Sequence, residues 1–553
     1  MNSAHERWVE NIEYVVFDEI HSMGGESNAD VWEHLFLLTS FPFIALSATI
    51  SNAKKIHRWL ENLQNYRATI TNTTPATTAK YSPNEKVHLI EHSVRHNDVK
   101  RFVYTSKGFK PIHPVGCLNV SSIEKHQQLP SDLRLSARET LQLYDALVKA
   151  YGSDEDFSEQ LCELAPERTS LLKIKPNESL FVTRKSVLSY ENLLKKFFLD
   201  GLLQHGESEK TSQVISSLKI DLAATDDCEF YPRSLLYTNK IKSNKNQEEK
   251  KKQEQKSANI KSFIDLVMDL KRGDLLPCIV FTNNRVLCEK YAIELENFLE
   301  NSNQTLKNEH EEEEELKDAE AAKLFNKLSK EDIPSMVNVG IGWHHSGLDK
   351  NRKSIIEALF RIGKIQLICA TATLALGIHM PCKTVVFMED SIYLDSFQYR
   401  QAAGRAGRRG YDQNGNVIFF DIPLIKVERL VGSFIPEIRP HFPLSVTFAM
   451  NFFDAEFRKK APNMSVVECL LNRSFWNYSY DTKVSQVHYD AVFSLNFLMD
   501  MQLLNEIGKF SLFSSLLERI HYHEPSNFLL YYLFVNGNFH MVRFFISQQI
   551  FFG

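Results

Sequence analysis

The sequence predicts an α/β protein with two blocks of parallel strands, followed by a mainly helical C-terminal region. In the first block, Tyr14–Phe17 and Phe43–Leu46 are continuous apolar runs, as expected for strands buried on both faces of a parallel sheet. The second block extends from about residue 259 to residue 425 and contains four such runs: Ile279–Phe281, Ile365–Cys369, Val385–Phe387 and Val417–Phe420. Beyond Pro440 the pattern becomes helical and rich in aromatic residues.

Composition favours a globular protein that is neither secreted nor bound in a membrane. The chain has 553 residues, of which 43% are hydrophobic and 24% charged, with a net charge of -5, the balance of an ordinary folded protein. The apolar run Phe528–Val535 is far shorter than the roughly 20 residues of a membrane helix. The N-terminal segment lacks the apolar stretch of a signal peptide. The eight cysteines include no CxxC pair, so we expect neither a zinc site nor a disulfide framework.

Changes in composition along the chain predict four regions. We place a first α/β domain at 1–130, a helical connector at 131–258, a second α/β domain at 259–440 and a helical region at 441–553. Within the connector, 242–256 has no apolar side chain, which predicts a solvated linker. The acidic run at 309–320 predicts an exposed loop or helix extension that repels nucleic acid.

Two polar clusters follow the strands of the first block. Asp18, Glu19 and His21 come directly after the first strand, and Ser47 and Thr49 come after the second. Polar groups beyond the carboxyl ends of parallel strands mark the ligand site of an open α/β sheet. A carboxylate pair there suits a magnesium–nucleotide site: Asp18 would hold the metal, and Glu19 would orient and deprotonate the attacking water. We expect the Ser47 and Thr49 hydroxyls to hydrogen-bond to this acidic cluster and relay nucleotide-dependent shifts.

Two further clusters lie in the second block. In ATATLALGIHMP, Ala370–Pro381, Thr371 and Thr373 offer donors to a phosphate backbone, and Gly377 permits close approach of the main chain. In QAAGRAGRRG, Gln401–Gly410, the side chains of Gln401, Arg405 and Arg408 fall within an arc of about 60° if the segment is helical. Arginines on one face can stabilise the charge of a transferring phosphoryl group.

The four clusters, in this order, resemble motifs II, III, V and VI of superfamily 2 helicases. PCIVFTNNR, Pro277–Arg285, is similar to motif IV, and VGIGWHHSGL, Val339–Leu348, is similar to the histidine-bearing segment of the superkiller-type DExH branch. The resemblance implies tandem RecA-like domains, of which the first is partial here, and a C-terminal region that can include a winged helix. It also implies that Gln401 and Gly377 contact the nucleotide. The residues it assigns to nucleic-acid binding are Phe281, Thr282, Asn283, His345, Thr371 and Thr373.

Landmarks along nearly the whole chain are similar to the DExD/H-box helicase 60 family of antiviral RNA helicases. They include WVENIEYVVFDEIH, PFIALSATI, HPVGCLN, LRLSARETLQLYDAL, MPCKTVVF and HYHEPSNF. The resemblance implies ATP and Mg²⁺ as cofactors, single- or double-stranded RNA as a sequence-tolerant partner, antiviral signalling proteins as further partners, and a cytoplasmic location.

One feature departs from this family. No GxxxxGK[ST] phosphate loop occurs in the sequence, and only 17 residues precede Asp18. We therefore expect a fragment of a larger helicase that is inactive by itself, since the nucleotide phosphates lack their backbone donors. Two alternatives stay open: a non-catalytic RNA-binding or adaptor protein on a helicase scaffold, and a DNA-directed helicase, because motif residues contact mainly phosphate and sugar.

Overall fold

The computed structural model describes fourteen stretches of the chain, and its contacts divide the chain into two compact units. The first unit comprises residues 1–91 and 437–553, and the second comprises 92–436. The described residues are 12–24, 29–39, 41–73, 86–92, 97–169, 184–220, 245–306, 339–375, 380, 382–441, 444–457, 464–480, 484–517 and 524–536. Among them, no helix combines the length and the apolar character needed to cross a bilayer.

The first unit begins with two strand–helix pairs. Strands β1 (Val15–Phe17) and β2 (Phe43–Ala45) are parallel, with Val16 opposite Ile44. Helix α1 (Ala29–Leu38) connects them, and α2 (Ala53–Thr73) follows β2. Both predicted strands of the first block are therefore confirmed. Their expected burial on both faces is wrong, because Val16 and Ile44 are 49% and 51% exposed while Phe17 is buried.

The second unit is built on a seven-stranded sheet in the order β4-β3-β9-β8-β5-β7-β6. All neighbouring strands are parallel except the β3–β4 pair. The strands are β3 (Asp98–Thr105), β4 (Gly108–Pro111), β5 (Cys278–Phe281), β6 (Ile341–His344), β7 (Leu367–Ala370), β8 (Thr384–Met388) and β9 (Asn414–Phe420).

The helices of the second unit form two groups. The first group has its own apolar core around Leu143, Leu147 and Leu194 and comprises α3 (Val120–His126), α4 (Ala137–Tyr151), α5 (Glu155–Glu163), α6 (Arg184–Leu203) and α7 (Ser208–Ser217). The second group accompanies the sheet and comprises α8 (Lys245–Arg272), α9 (Arg285–Asn301), α10 (Lys350–Arg361), α11 (Ser396–Ala403) and α12 (Leu424–Gly432).

The structure differs from one sequence expectation about the first α/β domain and from one about the connector. Residues 98–111, placed with the first α/β domain, form β3 and β4 of the second unit, because β3 pairs with β9 along six residues from Asp98 to Val103. Residues from Lys245 onward, predicted as a linker, are the first half of α8. Lys, Glu and Gln are good helix formers, and the second half of α8 buries Phe263 and Leu266 in the core. The helix therefore extends back from a packed segment. The acidic run at 309–320 lies outside the described residues.

The C-terminal helices of the first unit pack on its N-terminal elements. They are α13 (Val446–Phe457), α14 (Met464–Arg473), α15 (Phe475–Ser479), α16 (Val484–Asp500), α17 (Leu512–Leu517) and α18 (Ser526–Val535). Phe17, Trp59 and Phe475 share one core. The Trp59 Nε1 donates a hydrogen bond to the Arg473 carbonyl at 2.9 Å, and the Phe475 amide donates to Glu33 Oε1 at 2.6 Å. The two ends of the sequence thus contribute to a single core.

Candidate nucleotide and nucleic-acid sites

The acidic cluster occupies the turn that follows β1. The Ile20 amide donates to the Leu46 carbonyl at 3.0 Å, and the Leu46 amide donates to the Phe17 carbonyl at 2.8 Å. These bonds tie the turn after β1 to the turn after β2, so the two polar clusters lie side by side. Glu19 reaches this position with a φ of 56°.

His21 connects the two clusters. Its Nδ1 lies 3.0 Å from Glu19 Oε2 and 3.1 Å from Ser47 Oγ. The imidazole is buried, and this burial lowers the pKa of His21, although the charges of Glu19 and Asp18 act in the opposite direction. The predicted link between the acidic cluster and the serine–threonine cluster therefore exists, and it runs through the histidine.

Thr49 does not take the predicted part in this link. Its amide approaches Ser47 Oγ at 3.5 Å, whereas its own Oγ1 is buried and has no hydrogen-bond partner among the described residues. The sequence predicts that both hydroxyls hydrogen-bond to the acidic cluster. Ser47 does so through its contact with His21, whereas Thr49 does not. The reason is that the backbone after β2 turns the Thr49 side chain inward, where it is 7% exposed.

The carboxylates of Asp18 and Glu19 fit a magnesium ion whose other ligands come from a bound nucleotide. Asp18 is exposed at the end of β1, and the side chain of Glu19 is 36% exposed. No group of three or more His, Cys, Asp or Glu is placed to hold a metal within the described stretches. Mg²⁺ is commonly bound by one or two carboxylates together with substrate phosphates, so two oxygen-donor side chains suffice for that mode. The phosphate cradle that ATP needs does not occur in the sequence.

Three of the predicted nucleic-acid residues meet at one edge of the large sheet. Thr282, His345 and Thr371 directly follow the neighbouring strands β5, β6 and β7. The Thr282 amide donates to the Ala370 carbonyl at 2.9 Å, and the Thr371 amide donates to the His344 carbonyl at 3.1 Å. The carboxyl ends of parallel strands thus assemble residues that are 89 positions apart in sequence, from Thr282 to Thr371.

His345 is held in a fixed orientation at this edge. Its Nε2 lies 2.7 Å from Glu289 Oε1, and its Nδ1 accepts the Gly347 amide at 3.1 Å. A methyl group on Gly347 would lie 3.1 Å from Nδ1, so the glycine allows this close approach. Both ring nitrogens are engaged within the protein, and the residue is 4% exposed, so the imidazole is held in one orientation.

The other predicted residues of this group are distributed differently. Phe281 is 6% exposed and packs its ring against Phe387 in the core. Thr282, His345 and Thr371 are equally buried, at 4%, 4% and 7% exposed, so burial does not separate Phe281 from them. Asn283 is exposed. Thr373 belongs to a short helical turn, Ala372–Ala375, but its side chain is not described. Gly377 lies outside the described residues.

The arginine cluster does not form the continuous helix predicted from its spacing. Helix α11 ends at Ala403, with Gly404 as the residue that caps it. Gly407 has a φ of 92°, a conformation that disfavours other residues and that ends helical geometry. The predicted single helix face with Gln401, Arg405 and Arg408 is therefore wrong. Gln401 is on α11, and the two arginines lie in the following loop.

Arg405 and Arg408 each have a hydrogen-bond partner within the second unit. Arg405 Nη2 donates to the Ala375 carbonyl at 2.6 Å. Arg408 donates to the Asp412 carboxylate through Nε at 2.9 Å and through Nη2 at 3.0 Å. Burial would raise the pKa of Asp412, but the hydrogen bonds and charge of Arg408 outweigh it and lower that pKa below its ordinary value.

Sequence reasoning did not identify Asp412 or Glu289, the carboxylates that orient Arg408 and His345. Asp412 lies four residues after Arg408, a spacing that can signal an ion pair. Glu289 is 56 residues from His345, and no local pattern relates the two.

Family models match three segments of the chain. Residues 1–56 match the DEAD/DEAH box helicase family, 314–410 match the helicase conserved C-terminal domain, and 438–518 match the DDX60-like winged helix domain. Along nearly its whole length the chain is similar to the DDX60-like helicases. The winged helix expected in the C-terminal region is thereby confirmed, and the polar clusters after β1 and β2 lie within the segment that matches the DEAD/DEAH box helicase family.

The relatives of this DDX60-like chain are longer than the chain itself. A human protein described as "Probable ATP-dependent RNA helicase DDX60-like" is 31% identical over 97% of this chain and 35% of its own length. An uncharacterized helicase of Caenorhabditis elegans is 26% identical over 96% of this chain and 35% of its own length. The antiviral helicase SKI2 of Saccharomyces cerevisiae is 32% identical over 35% of this chain and 16% of its own length.

Proposed function

We propose that this chain carries motor segments of an ATP-dependent RNA helicase. The observation that carries the proposal is the contact of His21 with both Glu19 and Ser47. It joins the strand-end carboxylates to the neighbouring strand end in one hydrogen-bonded group, as a nucleotide-responsive site requires. The printed description of the human relative, an ATP-dependent RNA helicase, supports the same function.

In this proposal the residues after β1 and β2 serve hydrolysis. Bound Mg-ATP supplies the phosphoryl group and a metal ion that neutralises its charge. Asp18 ligates the metal, and Glu19 orients the attacking water and accepts its proton. His21 is neutral because of its burial. Its contacts hold the side chains of Glu19 and Ser47 in fixed positions relative to each other.

Arg405 and Arg408 stabilise charge on the transferred phosphoryl group, and Gln401 and Gly377 contact the nucleotide. An arginine suits this task because its planar fork can engage two phosphate oxygens. The pair with Asp412 fixes one orientation of the Arg408 fork before it acts. Such preorganisation lowers the cost of reaching the transition state.

RNA binding is proposed at the sheet edge formed by Thr282, Asn283, His345 and Thr371, with Thr373 in the adjoining turn. Hydroxyl, amide and imidazole groups of this kind contact phosphate and sugar more than base edges. Binding is therefore expected to tolerate different RNA sequences. DNA remains the alternative polymer, because contacts to phosphate do not discriminate the two.

A second function, RNA binding without turnover, is favoured by the absence of GxxxxGK[ST] from the sequence. We propose that the 553 residues alone do not hydrolyse ATP and that the full-length natural protein does. An antiviral role with signalling partners in the cytoplasm is proposed from the resemblance and from the name of the yeast relative.

RNA-stimulated ATP hydrolysis by the 553-residue chain and by the full-length natural protein tests these statements. The chain alone should show no turnover. In the full-length protein, Arg408→Lys should nearly abolish kcat and leave the KM for ATP largely unchanged, because a lysine keeps the charge and loses the fork. The matched control is Arg409→Lys, whose side chain is exposed and which should retain wild-type turnover.

Three results would contradict the proposal. Turnover by the chain alone that Glu19→Gln abolishes would show that it needs no phosphate loop from elsewhere. Equal losses of kcat in Arg408→Lys and Arg409→Lys would remove the specific role of Arg408. RNA binding by a full-length protein that never hydrolyses ATP would establish the adaptor function instead.

A further inference from the structure

Three side chains from residues 97–132 hold the segment that carries the arginine cluster. Asp132 accepts Arg400 Nε at 2.5 Å and Arg400 Nη2 at 3.3 Å, and Arg101 Nε donates to Tyr399 Oη at 3.1 Å. The third contact reaches the loop itself, where Asn97 Nδ2 donates to the Arg408 carbonyl at 3.1 Å. Only this third contact touches a residue with a proposed part in phosphoryl transfer.

Asn97 packs so closely against the loop that a side chain at Gly407 would be crowded. A Cβ on Gly407 would lie 3.0 Å from Asn97 Nδ2 and 3.1 Å from Gly415 Cα. The Gly407 amide also donates to the Cys382 carbonyl at 2.7 Å. The main chain at Gly407 is thus confined by Asn97 on one side and by the start of β9 on the other.

The carbonyl that Asn97 holds is also the centre of the turn that carries Asp412. The amides of Tyr411 and Asp412 donate to the Arg408 carbonyl at 3.2 Å and 3.0 Å. Asn97 therefore stabilises the whole turn that carries the Arg408–Asp412 pair, and not only the peptide group it contacts. Asn97 is 4% exposed and immediately precedes β3, whose first residue pairs with Asn414 of β9.

We propose that Asn97 is a positioning residue that fixes the direction in which Arg408 leaves the main chain. The Arg408 side chain is held by Asp412, and the turn bearing both is held by Asn97, which immediately precedes β3. Loss of the Asn97 amide frees the turn to move relative to the sheet and misdirects the guanidinium. The effect on catalysis rests on the proposed role of Arg408, whereas the effect on the turn does not.

Hydrogen exchange of the 553-residue chain tests the positioning without reference to activity. Asn97→Asp keeps the shape of the side chain and replaces the donor by an acceptor facing the Arg408 carbonyl. Amide exchange within 404–412 should become faster by about tenfold or more, since local opening scales with the lost hydrogen-bond energy. The control is Tyr399→Phe, which removes the acceptor of Arg101 and should leave exchange in 404–412 unchanged. No acceleration in Asn97→Asp, or equal acceleration in both variants, would overturn the proposal.

Turnover of the full-length natural protein tests the consequence. Asn97→Asp should lower RNA-stimulated kcat by about tenfold to a hundredfold, the range expected when a catalytic group is displaced by about 1 Å, with the KM for ATP unchanged. Combined with Arg408→Lys, it should cause no further loss, because the misdirected group is already absent. Additive losses would overturn a role through Arg408. A wild-type rate in Arg408→Lys alone would contradict the proposed function of Arg408, and the exchange measurement would still decide whether Asn97 orders the turn.

Discussion

The guanidinium of Arg408 and the carboxylate of Asp412 form a bidentate ion pair. Nε reaches one carboxylate oxygen at 2.9 Å and Nη2 reaches the other at 3.0 Å, and the Arg408 amide donates to the same carboxylate at 2.9 Å. The side chain of Asp412 is 4% exposed. Three donors from a single residue thus hold one nearly buried carboxylate, which explains why its pKa is lowered despite burial.

Asp412→Asn should lower the free energy of unfolding at pH 7 by about 1–2 kcal/mol, allowing for solvent screening of the partly exposed arginine. A folded-state pKa below the ordinary value means that this stability is complete above about pH 4 and is lost as the pH falls through the lowered pKa. The difference between wild type and variant in urea unfolding should therefore narrow below about pH 4. As a control, Asp274→Asn alters a carboxylate that is 89% exposed and should change stability by less than about 0.5 kcal/mol.

His113→Asn should destabilise the second unit at pH 7.5 by about 1–3 kcal/mol, because a buried carbonyl loses its donor. His113 Nδ1 accepts the Val115 amide at 3.2 Å, and Nε2 lies 2.9 Å from the Glu139 carbonyl. Burial lowers the pKa of His113, against the opposing effect of the Glu139 carbonyl.

The pH dependence of His113→Asn follows from that lowered pKa. The contribution of neutral His113 is complete above about pH 6.5 and is lost as the pH falls through the lowered folded-state pKa. Thermal unfolding should show a smaller difference between wild type and His113→Asn at pH 5 than at pH 7.5. A difference that widened on acidification would mean that the folded state favours the protonated histidine. The control is His126→Asn, which alters an exposed side chain and should change stability by less than about 0.5 kcal/mol.

Trp59→Phe should destabilise the first unit by about 1–3 kcal/mol, through a lost hydrogen bond and a small cavity. Trp59 is 1% exposed, and its Nε1 bonds to the Arg473 carbonyl. Urea unfolding should show one shifted transition for residues 12–73 and 464–479, since they share a core. Tyr489→Phe alters an aromatic side chain that is 70% exposed in the same unit and should be neutral. Separate transitions for the two stretches would contradict the shared core.

RNA binding by the chain should depend on salt and not on sequence. The logarithm of the binding constant should fall with the logarithm of salt concentration with a slope of about −0.7 for each phosphate contacted on a single strand. Asn283→Ala, at the exposed carboxyl end of β5, should weaken binding of unrelated single-stranded RNAs by the same factor. The control Gln304→Ala changes an exposed residue beyond the far end of α9. Loss of affinity for one sequence alone would contradict a phosphate-directed contact.

The sequence by itself determined the strands and the order of the motifs. Continuous apolar runs correctly located β1, β2, β5, β7, β8 and β9. Among these, the strands of the large sheet are buried on both faces, which requires apolar residues on both, whereas β1 and β2 leave Val16 49% and Ile44 51% exposed. The same rule places polar residues after strands at one edge of a sheet, which correctly predicted that Ser47 lies near the acidic cluster. Motifs made of adjacent residues were also sufficient to predict the resemblance to helicases.

Tertiary structure decided the features that depend on contacts between distant residues. Arg405 and Arg408 have helical spacing in sequence, yet Gly404 ends α11, and Gly407 adopts a positive φ where Asn97 and Gly415 would crowd a side chain. Residues 245–256 contain no apolar side chain, but the helix extends through them from the packed residues after Ile260. Asn97 and Arg408 are 311 residues apart. A local pattern reflects the propensity of one segment. The end of a helix, the pairing of β3 with β9 and the orientation of an arginine depend instead on the distant segments that pack against them.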